Sequence, residues 1–364
     1  MNDDRHHQLA NLQRAAPSRR GVMTGLTALA AASVLPLGDA AGQGASRAAK
    51  PPAKPYRIDV HHHLAAPAWV SHFSATNQLA PVIAKEWSPA KSIEDMDRGG
   101  TATSILSVTI PGVWVGDVET SRKLTRECNE YAMRLVTDHP GRFGMFPALP
   151  LPDVDGSLRE IEYVLGVLKA DGIGLLTSYG DKWLGDPAFD PVMAELNRRK
   201  TVVYTHPTVA NCCRNLVADV PPAVIEYGTD TSRAIAKLLF SGAAARFPDI
   251  RWIFSHAGGT MPFLAERFVF QAKNPNAAKH LPNGVMHELR KFYYDIAQAF
   301  QPSPLLGLKK LVPLSQIVFG TDFPFRTTAE HVKGLRDSGV FNAQELHAIE
   351  RDNALRLLPP RYRV

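Results

Sequence analysis

The segment Ile58-Asp59-Val60-His61-His62-His63 places two imidazoles two residues apart in an extended, apolar run. Alternate side chains of a strand share a face, so His61 and His63 can serve one cation while His62 points away. Such a pair is common in packed cores and says little by itself. Further polar residues end other β-branched or aromatic runs. His206 follows Val202–Thr205, His256 follows Trp252–Ser255, Asp295 ends Lys291–Ile296, and Asp322 closes Ile317–Thr321. Neutral imidazoles with one carboxylate suit a borderline divalent ion, Zn²⁺ first and Mn²⁺ as the alternative, with a position left open for water or substrate. On residue type alone, His256 qualifies as a ligand as well as His206 does.

These groups meet only if a fold gathers the ends of distant strands. From Tyr56 onward, short apolar runs alternate with amphipathic stretches. Strands are expected at 56–62, 103–109, 142–148, 172–177, 201–205, 251–255, 291–296 and 316–320. Helical spacing follows at 93–98, 118–138, 156–169, 190–199, 231–246, 260–270, 304–311 and 343–358. A long loop is expected after the first strand. Eight βα units over some 300 residues imply a closed (β/α)8 barrel, whose chemistry lies at the C-terminal strand ends. An open doubly wound sheet lacks support, because no Gly-rich phosphate loop follows an early strand. Trp69, Trp114, Phe300, Phe323 and Phe325 fall on strand-end loops and can form an apolar slot for a planar ring. Asp295 is placed either to hydrogen-bond a ligand histidine or to cap its own loop.

The chain has 364 residues, 45% hydrophobic and 21% charged, enough for one large core. Its net charge of +6 is dispersed, with no basic run longer than Arg198-Arg199-Lys200, which argues against nucleic acid and suits small anionic substrates. Three cysteines give no disulfide framework, and adjacent Cys212 and Cys213 read as small loop or core residues. Ser18-Arg19-Arg20-Gly21 precedes an uncharged, Ala- and Leu-rich run to Gly38. This resembles a bacterial twin-arginine export signal, so residues 1–49 are expected to be leader and linker and 50–364 the barrel. The apolar run is too short and Ala-rich for a stable membrane span. A periplasmic or exported enzyme is expected.

The stretches Ile58–His63, Glu86-Trp87-Ser88-Pro89, Ala170-Asp171-Gly172, Leu196–Lys200, His206-Pro207, Ser255–Gly259 and Gly320–Pro324 carry a resemblance. From Tyr56 onward the chain resembles the amidohydrolase-related, metal-dependent decarboxylases, a family that contains 2-amino-3-carboxymuconate-6-semialdehyde and gamma-resorcylate decarboxylases. Its strongest likeness is to the 6-methylsalicylate decarboxylases. The resemblance implies an amidohydrolase-type barrel with His61, His63, His206 and Asp322 on one divalent ion. It makes His256 a catalytic or substrate-orienting residue outside the ligand set. It also implies a homodimer in which Arg267 binds the substrate carboxylate in the neighbouring subunit.

Two departures from the wider pattern are informative. The fourth strand ends Gly174-Leu175-Leu176-Thr177-Ser178, without the lysine that bridges a second ion. No arginine lies between His63 and Trp87, which favours a monocarboxylate. The activity implied is non-oxidative decarboxylation of an aromatic or conjugated acid, such as an ortho-hydroxybenzoate. Asp322 would deliver a proton to the ring carbon, and His256 would stabilise charge on a neighbouring oxygen. Trp114 and Phe323 would touch the ring. The alternative is hydrolysis of a lactone, ester or amide by the same residues.

Overall fold

The computed structural model describes residues 54–363 apart from 77, 79 and 80. The leader and linker expected over 1–49 lie outside the described residues. Eight strands form the frame: β1 (Arg57–Leu64), β2 (Thr101–Val108), β3 (Phe143–Phe146), β4 (Ile173–Leu176), β5 (Val202–His206), β6 (Arg251–Phe254), β7 (Tyr293–Asp295) and β8 (Ile317–Val318). All ladders between them are parallel, running β1-β2-β3 and β4-β5-β6-β7-β8. Ala148 bridges to Gly174 and joins the two groups, with the Gly174 amide donating to Pro147 O at 2.8 Å. The circle closes between β8 and β1. Val60 N donates to Phe319 O (3.0 Å), Asp322 N to His61 O (2.9 Å) and His63 N to Phe323 O (3.0 Å). The fold is therefore the expected (β/α)8 barrel.

Each strand is short and buried, and the helices outside cover it with an apolar stripe. Helix Val118–Asp138 shows how the sequence sets this up. Asp117 caps it by accepting from Thr120 N, and Ser121, Leu124, Thr125, Cys128, Ala132 and Leu135 recur at helical spacing on the buried face. Three expectations need correction. The segment after β1 is not one long loop but carries helices Pro67–Ala75 and Pro81–Glu86, each opened by a proline in its first turn. The helix expected from 231 starts earlier, at Pro222, and stops at Phe240, where Gly242 takes φ +77°. A helix at Thr328–Asp337, capped by Thr327, adds to the expected set.

The β8–β1 join has a buried hub. Oδ1 of Asp59 accepts from the His61 amide (3.0 Å) and the Thr321 amide (3.1 Å). Oδ2 accepts from the Thr321 hydroxyl (2.6 Å) and meets His62 Nδ1 at 3.1 Å. One carboxylate thus ties the first strand to the segment leading into Asp322. Gly320 is required here, because a Cβ on it would lie 2.7 Å from His61 Cβ. Asp59→Ala would leave several buried donors unpaired. A loss of about 3 kcal/mol in folding stability is expected, read from the shift of a urea unfolding midpoint.

Candidate metal centre

His61 and His63 project from β1, His206 ends β5, and Asp322 follows β8. One ligand atom from each lies within 4.8 Å of every other, and all four residues are buried. His61 Nε2 stands 3.0 Å from Asp322 Oδ1, and His63 Nε2 stands 2.6 Å from the same oxygen. His206 Nδ1 is committed to its own backbone neighbour, Pro207 O, at 2.8 Å, which leaves Nε2 as the free lone pair. On His61 the tautomer is set from the other side, by Asp295 Oδ2 at 3.0 Å from Nδ1. Its buried Nε2 faces Asp322 Oδ1 without a well-aligned hydrogen bond, and the buried His63 Nδ1 has no hydrogen-bond partner among the described residues. Buried nitrogens without partners are rare and costly unless something else satisfies them.

The electrostatics point the same way. Burial pushes the His63 and His206 imidazoles down, His206 well below the ordinary value, so both are neutral donors of lone pairs. Burial also opposes charge on His61, yet Asp295 and Asp322 together raise it to about 10. Burial alone would raise the Asp322 carboxyl, but His61, His256 and His63 hold it well below the usual carboxylate range. Two carboxylates flanking three imidazoles in a dry pocket favour a positive charge at their centre. A divalent cation fits that donor set.

His256 is separate from the ligand set. Its Nε2 lies 3.5 Å from Asp322 Oδ2, while its amide donates to Asp295 Oδ1 at 3.0 Å. Gln298, which the sequence reading did not single out, donates its amide to the same Oδ2. Asp322 is thereby divided, with Oδ1 facing His61 and His63 and Oδ2 facing His256 and Gln298. Three of these residues share a backbone feature. His256, Gln298 and Asp322 have φ of +53°, +53° and +70°. A left-handed conformation costs a non-glycine residue about 1–2 kcal/mol, and such strain clusters at functional sites.

The aromatic residues divide. Trp114 lines a recess that touches His206. Phe325 packs edge-on to His63 with centroids 5.6 Å apart. Phe323 does not join them: it stacks on His62 (4.8 Å, 15°), whose ring points away from the ligands, and its exposure is 6%. Trp69 is fully buried, and its indole donates to Gly112 O at 2.7 Å, so it fixes a loop and meets no ligand. Phe300 packs on His331 and lines a surface groove elsewhere. Arg267 is exposed on helix Met261–Gln271 and makes no hydrogen bond or ion pair among the described residues, so it is not in the cluster of its own chain.

A barrel with this donor set at its strand ends matches one family model, for amidohydrolases, over residues 58–359. The chain belongs to the amidohydrolase family. Among relatives of this amidohydrolase, the decarboxylase yanB of Aspergillus niger is 37% identical over 83% of this chain and 87% of its own. The 6-methylsalicylic acid decarboxylase of Penicillium expansum is 33% identical over 83% of this chain and 96% of its own. A dihydroxybenzoic acid decarboxylase from Polaromonas, solved with bound manganese and 2-nitroresorcinol, shares the fold with a TM-score of 0.71 at 20% identity. That match covers 83% of this chain and 96% of that one. For this amidohydrolase, Asp295→Asn is expected to weaken metal binding by about tenfold to hundredfold. Competition with a chromogenic chelator measures it, and unchanged affinity would remove Asp295 from the centre.

Proposed function

We propose that this amidohydrolase is a metal-dependent carboxy-lyase that removes carbon dioxide, without redox chemistry, from an aromatic acid of the ortho-hydroxybenzoate type. The observation that carries the reading is a buried four-donor cluster in a chain that resembles decarboxylases over more than four-fifths of its length. His61, His63, His206 and Asp322 would hold one divalent ion, Zn²⁺ in first place and Mn²⁺ as the alternative. When bound, the ion supplies a template and Lewis acid for the carboxylate and the neighbouring hydroxyl oxygen.

The chain's own residues then manage the proton. Oδ2 of Asp322 lies on the side of His256 and Gln298, away from His61 and His63. Oδ2, ionised at rest, takes up a proton for the turnover and delivers it to the ring carbon that bears the carboxylate. The bond to the carboxylate carbon breaks, its electron pair restores the aromatic ring, and carbon dioxide leaves. His256 Nε2 returns a proton to Oδ2, and the Gln298 amide keeps that oxygen in position. Asp295 holds both His61 and the His256 backbone, so one buried carboxylate sets the spacing between the ion and the proton path.

A second copy of the chain supplies the remaining contact. Phe263 and Phe270 are 70% and 69% exposed and share one face of helix Met261–Gln271 with Arg267. Exposed phenylalanines flanking an unpaired arginine suit burial against a partner. Arg267 would there meet the substrate carboxylate of the neighbouring site.

Purified, metal-loaded protein is expected to release carbon dioxide from hydroxybenzoates. Chelation and His206→Ala should abolish release, and Zn²⁺ or Mn²⁺ should restore it to the chelated enzyme. Cleavage of lactones or esters with no carbon dioxide would overturn the reading. Sedimentation should report a dimer, and Arg267→Ala should lower kcat/KM about tenfold to hundredfold. A fully active monomer would remove Arg267 from the site.

A further inference from the structure

The rim of the barrel has unlike halves. Asp295, His256, Gln298 and Asp322, which handle charge and protons, come from the ends of β6, β7 and β8. The ends of β2 to β5 surround the recess beside His206, walled mainly by Val108, Leu149 and Leu176. On this second side the chain leaves β5 through residues 207–221, and that connection carries the adjacent thiols of Cys212 and Cys213.

The pair is asymmetric. Cys212 is exposed and Cys213 is buried. Their Sγ atoms lie 2.9 Å apart within one short turn, Asn211–Cys213. Three backbone amides pin that turn. Asn211 N donates to Gly180 O (3.3 Å), Cys212 N to Asp181 Oδ1 (2.8 Å) and Cys213 N to Ala210 O (2.9 Å). Gly180 and Asp181 form the bend of a small hairpin that pairs Ser178–Tyr179 with Lys182–Trp183, and Tyr179 lines the recess. The Thr208 amide reaches Thr177 Oγ1 at 3.2 Å. Through these contacts the loop that leaves His206 holds the hairpin that follows β4.

Two thiols alone make a poor cation site. Among the described residues, the one group of three or more metal-donor side chains is at the barrel mouth, and neither cysteine belongs to it. The remaining cysteine, Cys128, is buried, and burial pushes its thiol far up. An accessible sulfur with a shielded one beside it is instead the arrangement of an attacking and a resolving thiol.

We propose that Cys212 and Cys213 form a reversible modification site, which small-molecule disulfides oxidise to a ring-closed disulfide that loosens the rim loop after β5 and lowers turnover. Cys212 Sγ attacks the small disulfide, and one small thiol leaves as the mixed disulfide forms. Cys213 Sγ then attacks Cys212 Sγ and releases the second small thiol. The pair gives up two electrons, and its two protons pass to the departing small thiolates. Adjacent Cα atoms are about 3.8 Å apart across a trans peptide, below the roughly 4.4–6.8 Å of ordinary disulfides. The ring is therefore strained and readily reduced. It also cannot close without moving the backbone of the turn, and the Cys212 amide then leaves Asp181. Its hydrogen bond to the neighbouring thiol, first, pushes Cys212 up to about 11, so closure at neutral pH is slow and needs oxidant in excess.

The experiment holds metal-loaded, full-length protein in excess glutathione disulfide and then returns it to excess reduced glutathione. The tryptic peptide 201–214 contains both cysteines. It should lose two hydrogens and resist alkylation after oxidation, and recover both on reduction. Hydrogen exchange should show the amides of Asn211–Cys213 roughly five- to tenfold less protected in the oxidised form, the measure of one lost hydrogen bond. Cys213→Ser should stop at the mixed disulfide and keep one glutathione. Cys212→Ser should take up none, because the remaining thiol is shielded; this exposed position accepts serine and keeps the test alive if Cys213→Ser does not fold. A mixed disulfide that persists in the native sequence, or ring closure with unchanged exchange, overturns the proposal.

The effect on turnover rests on the decarboxylase reading above. Carbon dioxide release should fall by roughly tenfold or more on oxidation, as expected of a displaced supporting loop, and return on reduction. Equal release from both forms overturns the control of turnover. Ring closure and a loosened loop with no carbon dioxide from either form overturn the decarboxylase reading and leave the thiol site standing.

Discussion

The molecule depends on the seam where its last strand returns to its first. β8 contributes only Ile317 and Val318 to a regular ladder, so the closure relies on the backbone bonds of Val60, His63 and Asp322 and on the buried Asp59 carboxylate. This seam also sets the chemistry. It brings a carboxylate from residue 322 within 3.0 Å of one imidazole from β1 and 2.6 Å of another. Were β8 to slip by one residue, side-chain alternation would turn the carboxylate to the other face. Closure of the sheet and assembly of the donor set are one event.

Gathering so many polar groups in a dry interior is destabilising, and the structure distributes that cost. The barrel and its helical jacket bury a wide apolar core around the site. The left-handed conformations of His256, Gln298 and Asp322 add strain at the rim, and Ala257 and Gly258 extend it beyond β6. Each strained residue is held by a bond to a neighbour that also bears on the site: the His256 amide to Asp295, the Gln298 side chain to Asp322, the Asp322 amide to His61 O. Because cation binding would relieve the charge imbalance of this cluster, metal affinity and folding free energy should be linked.

Much of this arrangement was legible in the sequence. Short apolar, β-branched runs and strand-end punctuation identified all eight barrel strands, because a buried parallel strand must be apolar nearly throughout. His61 and His63 alternate within such a run and His206 and Asp322 follow others, but so does His256, and only the family resemblance set it apart from the donors. Other features were not legible. Gln298 carries no sequence signal, since a glutamine two residues past Ile296 looks like any solvated loop residue until its backbone turns left-handed. Phe323 looked like a wall of the slot because it follows Asp322, yet adjacent residues at a strand end face opposite ways and it stacks on His62. Trp69 and Phe300 misled for a related reason: lying on a loop near the mouth does not say which way a ring points. The recess was invisible, because it is formed by residues from four strand ends and their loops whose mutual distances no local pattern encodes.

The unlike halves of the rim have a consequence for reaction outcome. A flat acid has two edges, and only one orientation would set its apolar edge against the wall formed by Val108, Leu149 and Leu176 at the ends of β2, β3 and β4 while its ionised groups met polar partners. Rotating the ring by half a turn would trade both matches for mismatches. Regiochemistry would then be dictated by the protein's asymmetry rather than by the ring's intrinsic reactivity.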